Sequence, residues 1–431
     1  MMKFLYSSST VLAGAILVSL AAPLQAASDV MTFQVETGLA SPVVLNDSAE
    51  TNYLKITLTG ASEQQVTPLP LNIAIVVDSS SSMSAETLDK ISKAIVELAN
   101  TLTPEDVLSV VSYGNEAKVI VPASNERNSE ALKAQLAEGL ISDGRSALFA
   151  GVSKGLMQMK PYLDKHRVNQ LFLISDGQAN MGPTTVSELS QLAEVARKQG
   201  VSIMTFGWGS DYNASPMQSM AIKSDGLDAP LNSVDDLHSA LQFEVSRMRN
   251  VLVNEVEASV TFNQDITIER LLGREGFIQE NQLRVPFNEI YADEEKSLFV
   301  EFSQPAMSAH SEIAQLTITY HPMDDKSTKQ WQQGIAVDVS TNKQTVEQAR
   351  NQQILVEVAM QKSACAHNEA VLSMEGGDYD KAYRILQEQS GGFSVLCITT
   401  PNVMNRITEK EAAPVVDEGE ISQSAITADE K

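Results

Sequence analysis

The sequence predicts a mixed α/β fold: a doubly wound, mostly parallel sheet is inserted in a β-sandwich-like domain and followed by a C-terminal helical segment. Three observations carry this prediction. Apolar runs and helical patterns alternate between residues 71 and 249, which is typical of a parallel sheet with helices on both faces. Short segments of alternating apolar and polar residues flank that unit, as expected for antiparallel strands. Helical periodicity follows residue 343.

In the α/β unit, unbroken apolar runs predict strands that are buried on both faces. These runs are Ile73–Val77, Val107–Tyr113, Asn169–Ser175 and Val201–Phe206, with a short edge strand at Lys118–Val121. Helices are predicted between them at Glu86–Leu102, Ser129–Glu138, Ala147–Met159 and Val186–Gln199, and after them at Met217–Lys223 and Val234–Met248.

The flanking regions read differently. Three short strands are predicted between Met31 and Gly60, and five more after Val251, within the segments EVEASVTF, ITIERLLG, SLFVEFSQ, AQLTITYH and QGIAVDV. Helices are predicted at Val346–Gln361, Glu369–Leu372 and Tyr379–Gln389.

These changes of pattern divide the chain into six segments. The β-domain is expected in two parts, with the α/β unit between them, and an acidic tail that should be disordered ends the chain. The predicted boundaries are 1–26 for a signal peptide, 27–68 and 250–342 for the β-domain, 69–249 for the α/β unit, 343–400 for the helical segment and 401–431 for the tail.

The N-terminus is typical of a secretory signal peptide. Lys3 supplies positive charge, and residues 11–22 form an apolar stretch that is too short to span a bilayer. Cleavage is expected before Ala27, and an uncleaved anchor is the alternative. The mature chain is therefore expected to be exported, either periplasmic or secreted, with no stable membrane span.

The net charge and the cysteines restrict the possible functions further. The 431 residues carry a formal net charge of −24, which repels nucleic acid and anionic lipid and favours solubility or cation binding. A nucleic-acid partner is therefore not expected. Cys365 and Cys397 are the two cysteines. In an oxidising compartment they could form a disulfide, and two free thiols are the alternative.

Hydroxyl and carboxylate side chains occupy three turns of the α/β unit. Asp78, Ser80 and Ser82 form a D-x-S-x-S pattern directly after the first apolar run. Ser146 lies on a glycine-bearing turn before a predicted helix, and Asp176 ends another apolar run. Because parallel strands bring their carboxyl ends to one edge, these loops can converge. Such hard oxygen ligands suit Mg²⁺, Mn²⁺ or Ca²⁺.

With these motifs in place, residues 69–249 resemble a von Willebrand factor type A (VWA) domain, which has a Rossmann-like α/β fold, and its metal-ion-dependent adhesion site. The resemblance implies an octahedral divalent cation, Mg²⁺ by preference and Mn²⁺ or Ca²⁺ as alternatives. Ser80 and Ser82 would bind it directly, the aspartates directly or through water, and Ser146 in one conformational state. A partner's carboxylate would take the sixth position. The sequence departs from the family at Ser81, often glycine, and at Ser146, usually threonine.

Residues around the predicted site are expected to give the contact its specificity. These rim residues are Arg145, Met181, Gly209, Asp211 and Asn213. Asp211 follows the last apolar run, where it could supply a second carboxylate. We interpret it as a rim or capping residue because aspartate favours turns.

The pattern favours a non-enzymatic protein-interaction module. Residues 151–155 fit G-x-S-x-G, but they lie in a predicted helix that no strand precedes, so a nucleophile elbow is not expected. The five histidines are scattered, and no Gly-rich phosphate loop is present. The expected function is an exported module that contacts an Asp or Glu of a protein partner through the cation. The alternatives are an accessory or assembly factor of a cell-envelope complex that docks through this domain, and, third, a metal-assisted hydrolase.

Overall fold

Three strands open the described part of the chain. The computed structural model describes residues 32–62, 68–209, 212–323 and 327–388. The first strands are β1 (Phe33–Leu39), β2 (Val43–Leu45) and β3 (Glu50–Gly60), and β1 pairs antiparallel with β3. The predicted signal peptide and acidic tail lie outside the described residues.

Strands and helices then alternate as predicted. The strands are β4 (Leu71–Asp78), β5 (Val107–Tyr113), β6 (Ala117–Ser124), β7 (Val168–Ile174), β8 (Ser202–Gly207) and β9 (Asp228–Pro230). The helices are α1 (Ala85–Thr101), α2 (Ser129–Gly139), α3 (Leu148–Met159), α4 (Val186–Lys198), α5 (Ala214–Lys223) and α6 (Leu237–Met248), with short 3₁₀ turns at Lys160–Tyr162 and Val234–Asp236. The three-residue strand β9 was not predicted.

These six strands form one sheet in the order β6-β5-β4-β7-β8-β9. All neighbouring pairs are parallel except β5 with β6, which is antiparallel. The chain moves from β4 to β5 on one side and later returns to place β7 on the other side. The carboxyl end of β4 is therefore the switch point at which open α/β sheets bind their ligands.

The central strand β4 is buried along its whole length. Ile73 and Ile75 pack in a core with α1, α2 and α6, whereas Ala74 and Val76 pack in a second core with α3, α4 and α5. Because both faces are covered by helices, the strand carries an unbroken apolar run in place of an alternating pattern. The predicted doubly wound sheet is confirmed.

Seven further strands follow α6. They are β10 (Val251–Phe262), β11 (Thr267–Leu272), β12 (Phe277–Gln279), β13 (Gln282–Tyr291), β14 (Glu295–Gln304), β15 (Ser311–Pro322) and β16 (Lys329–Ser340). The sequence analysis missed β12 and β13. Pro286 lies inside β13, and a proline removes a backbone donor and argues against an internal strand.

The flanking strands form two sheets, in the orders β1-β3-β14-β11 and β12-β13-β10-β15-β16-β2. β3 pairs with β14 from Glu50 to Thr59, although more than 200 residues separate them in sequence. The rings of Phe33 and Tyr320 lie 4.8 Å apart, and those of Phe262 and Phe302 lie 5.0 Å apart, so the two sheets face each other. The predicted fold class is confirmed, and the boundaries at 68/69 and 249/250 remain our proposal.

Helices follow the last strand, but with different bounds from those predicted. The structure has α7 (Lys343–Ala349), α8 (Gln352–Glu375) and helical residues 379–388. The predicted helix Val346–Gln361 is wrong at one point, because Asn351 caps a new helix there: its Oδ1 accepts the Ile354 N–H at 3.1 Å. The predicted break before Glu369 is absent, and α8 continues through it.

Two further sequence predictions concern this helical region. Cys365 lies half-buried in α8 without a disulfide partner in the described ranges, and Cys397 falls outside them. Their pairing remains a prediction. Among the helices that the structure describes, none is long and apolar enough to cross a membrane.

The amino-terminal edge of the parallel sheet packs against the β-domain. The Asp225 side chain is buried there and forms ion pairs with Arg274 at 2.7 Å and Lys296 at 3.0 Å. Burial alone would raise the pKa of the Asp225 carboxyl, but the two cations and the Asn288 N–H hold that pKa below its usual value. Both carboxylate oxygens of Asp225 thus have cationic partners, and this buried cluster connects the α/β unit to the β-domain.

A second carboxyl at this contact has no comparable partner. Glu289 on β13 is buried, and its Oε2 lies 3.4 Å from the Ser202 hydroxyl at the start of β8. Burial raises the pKa of Glu289 to about 8, although the positive charge of Lys296 opposes the shift. Glu289 is therefore neutral in the folded protein below that pH.

Replacing Glu289 should change how stability depends on pH. The unfolded chain ionises this carboxyl near pH 4.5 and the folded chain near pH 8. The free energy of unfolding should therefore fall with rising pH between these values, by at most about 1.4 kcal/mol per unit. In Glu289→Gln this decline disappears, so the melting temperature of the variant minus that of wild type should increase from pH 5 to 8 and then stay constant.

Glu36→Gln is the control, because Glu36 is an exposed strand carboxylate. Thermal unfolding followed by circular dichroism at each pH measures both variants. A difference between Glu289→Gln and wild type that does not change with pH would contradict the shifted pKa.

Candidate metal-binding site

The first part of the candidate site is the turn at the end of β4. Asp78 is fully buried, and its Oδ1 accepts the Ser80 N–H at 2.8 Å, which closes a tight turn over the strand end. The Ser79 N–H bonds to the Tyr113 carbonyl at the end of β5, also at 2.8 Å. The Ser80 and Ser82 hydroxyls lie 2.9 Å apart, so both point to the same side of the turn.

Ser81 occupies the position where the family often has glycine. Its backbone φ is negative, so the turn does not require a glycine. The Ser81 N–H and hydroxyl both donate to the Gly144 carbonyl, at 2.9 and 2.7 Å. Gly144 itself has φ +60°, and a Cβ there would lie 2.1 Å from the Asn115 amide. The serine at position 81 therefore adds one side-chain hydrogen bond to the Gly144 loop, beside the backbone bond that a glycine could also make.

That next loop places Ser146 beside Asp78. The Ser146 hydroxyl donates to Asp78 Oδ2 at 3.2 Å, and Ser146 is fully buried. Its N–H donates to Asn180 Oδ1 at 2.8 Å, and its carbonyl accepts the N–H groups of Asn180 and Met181. The loop after β7, which contains Asn180 and Met181, thus bonds to both the N–H and the carbonyl of Ser146.

Asp176 is the half-buried carboxylate of the loop after β7. Its Oδ1 accepts the Gln178 N–H at 3.0 Å, and its carbonyl accepts the Asn213 N–H at 2.9 Å. Gly177 has φ +77°, and a Cβ there would lie 2.3 Å from the Asn213 carbonyl oxygen. The chain can turn away from Asp176 in this way because residue 177 is glycine.

Ser175 belongs to the site although the sequence analysis did not select it. Its hydroxyl donates to Asp78 Oδ2 at 2.9 Å and accepts the Gly177 N–H at 3.0 Å. In the sheet Val77 lies opposite Ile174, so the next residues, Asp78 and Ser175, are also neighbours. The contact between Ser175 and Asp78 follows from the pairing register of β4 and β7, which cannot be read from the sequence.

The electrostatics of the site favour a bound cation. Burial raises the pKa of the Asp78 carboxyl, and the negative charge of Asp176 raises it further, while hydrogen bonds from Ser80 and Ser175 oppose the shift. Among the described residues neither aspartate has an ion-pair partner. A divalent cation would relieve both the burial cost and the mutual repulsion.

The donor set also fits such an ion. Two carboxylates and the hydroxyls of Ser80, Ser82 and Ser146 supply hard oxygen ligands, which Mg²⁺ and Ca²⁺ prefer. In the described ranges no group of three or more His, Cys, Asp or Glu side chains is placed to hold a metal. A site built here would therefore depend on serine hydroxyls as well as carboxylates.

Four of the five predicted rim residues lie in the described part of the chain. Arg145, Gly209 and Asn213 are exposed, Met181 is half-buried, and Asp211 lies outside the described residues. The Arg145 N–H donates to Asn115 Oδ1 at 3.1 Å. Gly209 has φ +98° and, together with Ser82 and Asp176, lines an open cleft of about 590 Å³. The rim assignment remains our proposal.

The α/β unit, with these side chains at the carboxyl edge of its sheet, matches a known class of domain. Residues 72–243 match the family model described as von Willebrand factor type A domain. The chain therefore contains a VWA domain, a member of a family of protein-interaction modules.

Similar proteins support this assignment. The chain is 28% identical to the Synechocystis protein sll0103 over 46% of each chain, and 26% identical to the Escherichia coli protein YfbK over 52% of this chain and 39% of YfbK. It is 21% identical to human inter-alpha-trypsin inhibitor heavy chain H3 over 44% of this chain and 22% of the relative. The chain thus spans less than half the length of these curated relatives.

Two solved structures share the fold. A von Willebrand factor type A protein from Catenulispora acidiphila matches with a TM-score of 0.64 at 14% identity, over 85% of this chain and 89% of that one. The ArnB paralog VWA2 from Sulfolobus acidocaldarius matches with a TM-score of 0.56 at 15% identity, over 83% and 89%. The shared fold extends beyond the VWA domain into the flanking strands and helices.

Replacing Asp78 should stabilise the protein when no cation is present. The pKa of the buried Asp78 carboxyl is higher in the folded protein than in the unfolded chain. The free energy of unfolding therefore falls as the pH rises from the unfolded pKa to the folded pKa, because ionisation is costly in the folded state. Asp78→Asn removes the charge and keeps an oxygen for the Ser80 N–H, while the Ser146 and Ser175 hydroxyls, which donate to Oδ2, must turn to accept from the new NH2 group. In EDTA at pH 8 the variant should therefore melt above wild type.

The same variant should fail to respond to Mg²⁺, whereas the melting temperature of wild type should rise with Mg²⁺ concentration. Differential scanning calorimetry in EDTA and in Mg²⁺ measures both effects. If Asp78→Asn melts below wild type in EDTA, the hydrogen bonds to the carboxylate outweigh the cost of burying its charge, and this account of the charge is wrong.

Proposed function

We propose that this protein is an exported, non-enzymatic interaction module that contacts a partner protein through a divalent cation. Asp78, Ser80, Ser82, Ser146 and Asp176 would hold the ion, with Mg²⁺ as the preferred cation. The ion would supply a positive charge that binds an Asp or Glu carboxylate of the partner. One observation carries this proposal. The buried carboxylate of Asp78 accepts hydrogen bonds from Ser80, Ser146 and Ser175, which lie on three different segments of the chain.

The arrangement of the five side chains suits binding more than catalysis. Two carboxylates nearly neutralise a divalent ion, and three hydroxyls leave its octahedral shell incomplete. Ser82 is exposed and Asp176 is half-buried, so a partner can reach the open side. The ion would also make the contact reversible, because removing it restores the repulsion between Asp78 and Asp176.

Nothing in the described surroundings suggests acid–base chemistry. His238, His310 and His321 pair with Glu97, Asp338 and Glu255, which are not among the site residues. The G-x-S-x-G pattern at 151–155 lies inside α3, where no strand–turn–helix elbow can form. A hydrolytic role therefore has no observation in its favour.

The position of the site also suits a contact with another molecule. The amino edge of the sheet is covered by the β-domain through Asp225 and its cations, whereas the candidate site lies at the opposite, carboxyl edge. The N-terminal pattern of residues 1–26 supports export. A partner would then be met outside the cytoplasm.

The function is tested by retention of partner proteins on immobilised protein. A cell-envelope extract is loaded in Mg²⁺, and bound proteins are eluted with EDTA and identified. Asp176→Ala should lower both the retained amount and the Mg²⁺ affinity, the latter at least tenfold by isothermal titration, since it removes a carboxylate ligand. Its melting temperature in EDTA should stay close to that of wild type, because the side chain is half-exposed and lies outside the core.

Asp164→Ala is a matched control. Asp164 Oδ1 accepts the His166 N–H just as Asp176 Oδ1 accepts the Gln178 N–H, but Asp164 precedes β7 at the opposite edge of the sheet. The control should retain partners and bind Mg²⁺ as wild type does. Equal retention in Mg²⁺ and in EDTA, or equal Mg²⁺ affinities for the two variants, would overturn the proposed function.

A further inference from the structure

A cleft of about 590 Å³ adjoins the proposed cation position. Ser82 and Asp176, two of the predicted ligands, form part of its lining. The cleft continues away from them along the first turn of α1 and the segment after β8. The other lining residues are Met83, Thr87, Gln178, Trp208 and Gly209. A partner whose carboxylate reached the cation would therefore place its next side chain in or beside this cleft.

The inner wall of the cleft is apolar. Trp208 follows β8 directly and is half-buried against the core beneath α1 and α6, and Met83 is buried in the same core. Apart from its chain neighbours, no atom of the described residues lies within 4 Å of the position that a Cβ would take at Gly209. An indole ring fixed by the core offers an aromatic surface at little entropic cost.

The charge of the lining limits what the cleft can bind. Among the lining residues that the structure describes, Asp176 is the one charged side chain and none is basic. The nearby Lys90 on α1 is held in ion pairs with Glu86 and Asp235. A second acidic group would therefore meet repulsion without a cation to bind it, whereas an uncharged apolar group would bury its surface against Trp208 and Met83.

A second cleft, of about 420 Å³, lies on the other side of the site. Phe149, Ala147, Met181 and Lys154 are among its lining residues, but none of the five predicted ligands is. Of these two clefts, the first is the one that is continuous with the proposed cation position, and the second provides a control.

We propose that the Trp208 cleft binds an uncharged aromatic or aliphatic side chain adjacent to the partner's acidic residue, so that the partner is recognised through an acidic–apolar pair. This inference rests on the proposed function, because the acidic residue is placed by the cation. It assigns to Trp208, Met83 and Thr87 the discrimination between partners, while the five site residues supply the common anchor.

Trp208 provides its own reporter. The sequence has two tryptophans, Trp208 and Trp331, so in a Trp331→Phe background the fluorescence comes from Trp208. The probes are ten-residue glycine–serine peptides with one central Asp followed by Phe, Leu, Gly, Lys or Glu, titrated in Mg²⁺ and in EDTA. In Mg²⁺ the Asp-Phe and Asp-Leu peptides should bind about tenfold more tightly than Asp-Gly and should shift the emission of Trp208. Asp-Glu should bind no better than Asp-Gly.

Two variants, read by isothermal titration, test the assignment to this cleft. Trp208→Ala removes the apolar wall, and Thr87→Phe fills the cleft from α1, so both should abolish the preference for Asp-Phe over Asp-Gly. Phe149→Ala, in the second cleft, should keep that preference. Melting temperatures identify any variant that is not folded, and Thr87→Phe retains the indole if Trp208→Ala is unstable.

The outcomes separate this inference from the function on which it rests. If Mg²⁺ binds and all peptides bind equally, or if Phe149→Ala alone loses the preference, the cleft assignment is wrong and the cation site stands. If Mg²⁺ binds and no peptide binds, the proposal that the partner is recognised through an acidic–apolar pair is wrong as well. If Mg²⁺ itself does not bind to the wild type, the proposed function fails and the cleft inference fails with it.

Discussion

The carboxylate of Asp78 is the constraint on which the rest of the site depends. It is buried at the end of the central strand, where ionisation is costly unless the charge is met by donors or by a cation. Its Oδ1 fixes the serine turn through Ser80, and its Oδ2 draws in Ser146 and Ser175 from two other loops. One buried charge thus orders three segments that are distant in sequence.

The two edges of the parallel sheet differ in whether their buried carboxylates have cationic partners. The amino edge is closed by the β-domain, with Asp225 held between Arg274 and Lys296. The carboxyl edge keeps Asp78 and Asp176 without ion-pair partners in the described part of the chain. Among the described residues, Asp225 thus has cationic partners at the contact with the β-domain, whereas Asp78 and Asp176 have none where we propose that a cation binds.

The local parts of this design could be predicted from the sequence. The unbroken apolar run before Asp78 indicates a strand buried on both faces, and the serines after it indicate a turn. Asp176 follows a second such run. Because parallel strands share a carboxyl edge, the expectation that these residues converge with Ser146 required no knowledge of the exact register.

What could not be predicted depends on contacts between distant segments. Ser175 joins Asp78 through the pairing of β4 with β7, and Asn180 holds Ser146 across another loop. The pairing of β3 with β14 cannot be read from either strand alone. Pro286 argues against a strand at β13, and the contact of Glu289 on that strand with Ser202 of β8 joins distant parts of the sequence. Helical periodicity also continued past Asn351, where a cap begins a new helix.

The central claim is that a divalent cation binds between these loops, and the location of the ion tests it most directly. Crystals of the protein grown with Mn²⁺ would be measured at a wavelength where manganese scatters anomalously. We predict one strong peak at the carboxyl edge of the parallel sheet, with the Ser80 and Ser82 hydroxyl oxygens within about 2.5 Å of it. A map without a peak there, while Mn²⁺ occupies other positions on this acidic chain, would contradict the account.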